Sequence, residues 1–272
     1  NVFLLIVNTN IVTFLPVKTL HLFIFVKLLF LMKISELVQY KIDRFAEGYV
    51  FTYSDFDVEV KNESALKVAL YRLVKSGKIQ RLSKGKFYKP KQGIVGKLNP
   101  NEYEIVKDLL KEGNQLIGYI TGYGIFNKLG LTTQVPNVIQ IGSNIDKKNL
   151  KRGKYTIKFI RQRNKITKKN TYLLQLLDCI RFIKNIPDAN INNSFKRLSI
   201  FISELPNNEQ VYLSELANNY PPSCKALTGA LFESLGKTEI SERLNKSLKS
   251  TTWYDINISD DLIENKTKWR IK

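Results

Sequence analysis

The chain has 272 residues, 43% of them apolar, and a formal charge of +19, which leaves room for two modest domains with packed cores and excludes a disordered polycation. The charge is confined. Residues 32–98 carry 14 basic against 7 acidic side chains, residues 146–172 carry 11 against 1, and residues 173–272 are nearly neutral at 13 against 12. Two basic blocks point to two polyanion-facing surfaces, the plain alternative being a solvated lysine-rich exterior.

Residues 1–31 open on Asn1 and are apolar but broken by Asn8, Asn10, Pro16, Lys18 and Lys27, so no run reaches the ~20 residues of a membrane span. They also lack the charged start and cleavage site of a signal peptide. Met32, the only methionine, precedes a polar, periodic stretch. The expectation is that translation begins there and that 1–31 is non-native upstream sequence; an N-terminal membrane anchor is the alternative. His21, the only histidine, lies in that tract.

Apolar residues at 34, 37, 38, 42 and 45 predict a first helix ended by Gly48, and Tyr49–Thr52 predicts a short strand. Ser54-Asp55-Phe56 reads as a brief helix capped by Ser54, and Asn62 or Ser64 can cap the next one. There Leu66, Ala69, Leu70, Leu73 and Val74 form the buried stripe, leaving Lys67, Tyr71, Arg72 and Lys75 outward until Gly77 stops the helix. Residues 79–82 and 86–89 alternate as two strands turning through Ser83-Lys84-Gly85. Helix, strand, helix, helix and basic hairpin make a winged helix-turn-helix DNA-binding domain over residues 33–91.

Pro90 and the run 92–96 mark the exit from that domain. Residues 98–272 read as a second domain: helices at 100–111 and 121–129, a turn at Gly130, strands at 138–141 and 155–161, then helices at 171–186, 193–205, 210–219, 224–235 and 241–249. Two β-prone pieces, 253–258 and 269–271, close the chain. The fold class is α+β, a winged helix followed by a mixed α/β and mainly helical domain.

From Met32 onward there is no histidine, which removes Ser-His and Cys-His nucleophile pairs and most metal sites. Cys179 and Cys224 stand far apart with no Cys-x-x-Cys spacing, so both read as core residues of a reducing cytoplasm. No phosphate-binding glycine loop occurs, since Gly118, Gly122 and Gly124 fail the dinucleotide spacing. Asp260-Asp261 and Glu102/Glu104 read as a loop and a helix start. The expectation is no enzyme, no metal and no cofactor.

The DNA-facing candidates are Lys61, Asn62 and Ser64 nearest the base edges, Lys67, Tyr71, Arg72 and Lys75 along the helix, and Arg81, Lys84 and Lys86 on phosphates. Tyr88 reads as packing within the hairpin. A second basic surface comprises Lys151, Arg152, Lys154, Lys158, Arg161 and Arg163. It has few interleaved aromatics, which disfavours single-strand stacking and leaves duplex backbone, RNA or an acidic protein.

Gly48-Tyr49-Val50-Phe51-Thr52, Ser76-Gly77-Lys78-Ile79, Leu82–Tyr88, Thr121-Gly122-Tyr123 and Gly130–Pro136 resemble a family of bacterial proteins of the DUF6088 type. That family looks related to the AbiEi antitoxins of type IV toxin–antitoxin, or abortive-infection, systems. The resemblance runs from Met32 onward, although the helices after about residue 171 depart from the characterised antitoxins. It implies a cytoplasmic phage-defence regulator that binds double-stranded DNA at its own promoter. It also implies a nucleotidyltransferase-like toxin encoded alongside, a functional rather than necessarily physical partner, and no membrane if Met32 is the start. The alternative is a winged-helix protein-interaction module, or a regulator without a toxin.

Overall fold

The structure, a computed structural model, describes residues 3–8, 11–16, 33–56, 62–94, 96–135, 137–249 and 251–272. The first two segments are strands, β1 (Phe3–Asn8) and β2 (Ile11–Pro16), paired antiparallel. The rest of the expected upstream tract and the candidate Lys61 lie outside the described residues. The fold is mixed α+β and divides into two units, Asn1–Glu104 and Ile105–Lys272. Among the described residues no helix is long and apolar enough to cross a membrane.

In the first unit, α1 (Ile34–Arg44) turns Val38 and Ile42 inward. Then come β3 (Val50–Thr52), a 3-10 turn at Tyr53–Phe56, α2 (Glu63–Lys75), β4 (Gln80–Ser83) and β5 (Lys86–Tyr88). The three strands form an antiparallel sheet in the order β3-β5-β4. Ile42, Leu70 and Ile79 are wholly buried in one core with Phe51, Phe56 and Phe87, each aliphatic side chain contributing about 2 kcal/mol of burial. The helix stop is the predicted one. Gly77 takes φ +74°, its N–H bonds the Val74 carbonyl, and the Lys78 N–H bonds the Leu73 carbonyl at 3.0 Å, a C-terminal cap that favours glycine.

Three local expectations need correction. The 3-10 turn is closed by Asp55, which accepts the Thr52 N–H at 2.7 Å, so the reciprocal carboxylate and not Ser54 supplies the cap. Asn62 stands at the N-cap of α2, yet its side chain makes no capping hydrogen bond. The exit run is a hairpin, β6 (Lys91–Gly93) with β7 (Gly96–Leu98), whose short, exposed strands carry no hydrophobic alternation.

The second unit starts within α3 (Glu102–Leu110) and continues through a small hairpin, β8 (Lys111–Glu112) and β9 (Gln115–Leu116). Next are β10 (Gly118–Thr121), α4 (Tyr123–Lys128), β11 (Val138–Ser143), β12 (Leu150–Arg152) and β13 (Tyr155–Arg161). They build a sheet in the order β10-β11-β13-β12, with the central β11–β13 pair parallel. Residues 118–121, expected in part as helix, are strand, and the lysine-rich link holds β12. The helices follow: α5 (Thr171–Arg181), α6 (Ile191–Ser203), α7 (Asn207–Ala217), α8 (Pro222–Ser234) and α9 (Thr238–Lys246). The two closing β-prone pieces meet in one parallel bridge, Tyr254 with Ile271. Cys179 and Cys224 are free and buried in this helical core.

Candidate nucleic-acid interface

Helical periodicity puts Ser64, Lys67, Tyr71, Arg72 and Lys75 on the exposed side of α2, opposite Leu66, Ala69 and Leu70. Tyr71 is 66% exposed, a large aromatic without a packing role. Lys67 pairs with Glu63 one turn earlier at 3.1 Å, a contact that solvent makes easy to exchange. Asn62 is half-buried at the helix start.

The β4–β5 turn is brought beside this face by a residue the sequence did not mark, Tyr53. Its ring packs edge-on against Phe87 at 5.7 Å, lies 3.6 Å from where a Cβ on Gly85 would sit, and has the Lys67 ammonium 6.0 Å from its centre. One aromatic therefore touches both the hairpin tip and the basic helix face. Arg81 and Lys84 are exposed on the hairpin, Arg81 Nε donating to the Ser83 carbonyl at 3.3 Å; Lys86 is half-buried. Tyr88 is 4% exposed and its hydroxyl donates to Gln80 Oε1, so it packs and is not offered for stacking. Lys78 and Lys97 are engaged elsewhere, the first on Asp43 at 2.9 Å, the second on the Gly77 carbonyl.

One member of the second basic block does not reach solvent. Lys151, Lys154, Lys158, Arg161 and Arg163 are exposed, but Arg152 is buried. Its guanidinium donates to both carboxylate oxygens of Asp108, one at 2.7 Å, and to the Ile105 carbonyl. Arg152 thus ties β12 to α3 and faces no partner. Arg161 pairs with Asp146 at 3.0 Å.

Behind Arg161 and Arg163 lies a polar cluster that sequence reasoning missed. Asp178, 1% exposed on α5, accepts from the Tyr119 hydroxyl at 2.6 Å, Thr121 at 2.7 Å and Tyr220 at 3.1 Å. Gln162 bridges Tyr119 and Tyr220 at 2.9 and 2.8 Å. Burial raises the Asp178 carboxyl above its ordinary range, against those three donors, and raises both tyrosines as well. No local pattern could have disclosed it, because its members come from four separate segments. The Gly130–Pro136 run is an anchor in the part described: Thr132 donates to the Pro187 carbonyl at 2.7 Å. Glu104 accepts the Val50 N–H and Asp260 pairs with Lys266. Among the described residues no group of three His, Cys, Asp or Glu is placed to hold a metal.

A family model described as a family of unknown function, DUF6088, matches residues 37–204. A crystal structure of the RV2827C protein from Mycobacterium tuberculosis is similar in fold, with a TM-score of 0.53 at 14% identity, over 83% of this chain and 84% of that one. No curated protein matches.

Proposed function

The chain belongs to the DUF6088 family, and from that premise we propose that it is a winged-helix transcriptional repressor of its own promoter, the AbiEi-like antitoxin of a type IV toxin–antitoxin pair. The observation that carries the reading is the alignment of Lys67, Tyr71, Arg72 and Lys75 on the open face of α2, with Tyr53 holding the Lys84–Gly85 tip beside it. A helix face of that kind fits the major groove, and a basic hairpin fits the flanking phosphates. In this reading the protein is a cytoplasmic regulator without catalysis or cofactor, and its toxin is a nucleotidyltransferase-like protein encoded next to it.

Gel-shift titration on the DNA upstream of the gene tests the proposal. Specific retardation at low salt is the expected result, and no shift at 50 mM salt defeats it. Replacing Lys84 and Lys86 by Ala should weaken all duplexes equally, whereas Asn62→Ala or Lys67→Ala should change which sequence is preferred. A second reading rests on Val68 and Tyr71, 48% and 66% exposed on the same face: a docking surface for a protein. Val68→Ser would then abolish co-purification of the neighbouring gene product while leaving DNA retention intact.

A further inference from the structure

The second unit contains a cleft of about 300 Å³ whose lining includes three arginines. Arg161 ends β13, Arg163 follows two residues later, and Arg181 is the last residue of α5. Gln162, Tyr220 and Pro222 line the same cleft. Gln162 and Tyr220 are 4% and 6% exposed, and both are locked into the Asp178 cluster. The wall is therefore set before any ligand arrives, which lowers the ordering cost of binding.

The charge balance favours an anion. Arg161 already has Asp146, but among the described residues no carboxylate lies within ion-pair distance of Arg163 or Arg181. Arg181 rests on the Phe182 ring, 4.9 Å from its centre. No acidic residue lines the cleft; Asp178 behind it accepts from three hydroxyls, and its carboxyl, whose charged form burial disfavours, acts on Arg181 through space without forming an ion pair. Like charges gathered at one recess repel, and a multiply charged oxyanion relieves that repulsion. Guanidinium forks match the oxygens of a phosphate two at a time, which suits them to phosphate better than a lysine would be.

We infer that this cleft binds a small phosphate-bearing ligand, held by Arg163 and Arg181 with Arg161 as a third donor. The volume lies at the lower end of the roughly 300–1,000 Å³ of small-molecule sites, the scale of a mononucleotide or smaller. The inference stands whether or not the first unit binds DNA.

Calorimetric titration of the full chain at low ionic strength with inorganic phosphate, pyrophosphate and adenosine monophosphate tests it. At least one should bind saturably at one site, with affinity reduced tenfold or more by Arg163→Gln and by Arg181→Gln. Lys151→Ala, in the same basic block but outside the cleft lining, should leave it unchanged. Arg163 is exposed, so its variant remains decisive if the Arg181 variant fails to fold. Absence of saturable binding by all three probes overturns the inference. So does equal weakening by Lys151→Ala, which would mean diffuse charge. A short duplex that displaces the probe, and whose own binding is lost in Arg163→Gln, would assign the cleft to nucleic-acid phosphates instead.

Discussion

Asp178 is held at 1% exposure by three hydroxyl donors, and burial raises its carboxyl despite them. An acid raised in the folded state adds most stability below its unfolded pKa of about 3.9, and that share is lost as pH rises through the folded value. The stability of the wild type relative to Asp178→Asn, followed by urea unfolding, should therefore fall as pH rises above the unfolded pKa of about 3.9. Both tryptophans, Trp253 and Trp269, lie in the second unit, so their fluorescence reports on that unit. A difference independent of pH would remove the buried-acid account. Arg152 makes the complementary case. Its removal leaves Asp108 and the Ile105 carbonyl without that donor. Because Asp108 is 41% exposed, water replaces part of the loss, and Arg152→Met should cost about 2 kcal/mol, less than the ~3–5 of a fully buried pair. An unchanged urea midpoint would contradict this. Nothing in the sequence separates Arg152 from its basic neighbours: the distinguishing partner stands 44 residues away, and contact between distant segments leaves no local signature.

Elements with a local cause were readable. α2 announces itself by apolar spacing, and its end by Gly77, whose positive φ is where glycine is wanted. The β4–β5 hairpin follows from alternation and Gly85 at φ +72°. β10 was not readable, because three of its four residues are buried and no alternation survives. β6 and β7 failed for the opposite reason, having almost nothing to bury. Gly229 shows how far element-level reasoning carries. In the interior of α8, alanine should gain about 1 kcal/mol over glycine. Yet a Cβ at this position would overlap the ring of Trp269, which is wholly buried and donates its Nε1–H to Glu233 at 2.6 Å. A fixed indole cannot step aside cheaply, and overpacking costs ~1–3 kcal/mol. Gly229→Ala should accordingly destabilise the second unit by up to about 2 kcal/mol, and a raised midpoint would show that the C-terminal segment yields.

Across the whole molecule, the +19 charge acts in two ways that salt separates. A cation seated on a phosphate releases a counterion and steepens the salt dependence of affinity, while a cation that merely adds to the field speeds encounter. Contact by Lys67, Arg72, Lys75, Arg81, Lys84 and Lys86 would give a slope of log K against log salt near −5, roughly a 10³-fold loss between 50 and 200 mM. Lys84→Ala with Lys86→Ala should make that slope shallower by about 2. The second block divides otherwise: Arg152 belongs to the core, Arg161 and Arg163 border the cleft, and Lys151, Lys154 and Lys158 remain exposed. Changing those three lysines to Ala should leave the slope unaltered and slow association at low salt, measured by stopped-flow mixing with labelled duplex. A slope shallower by two or three would instead seat the second block on the phosphates, and both basic regions would then share one duplex.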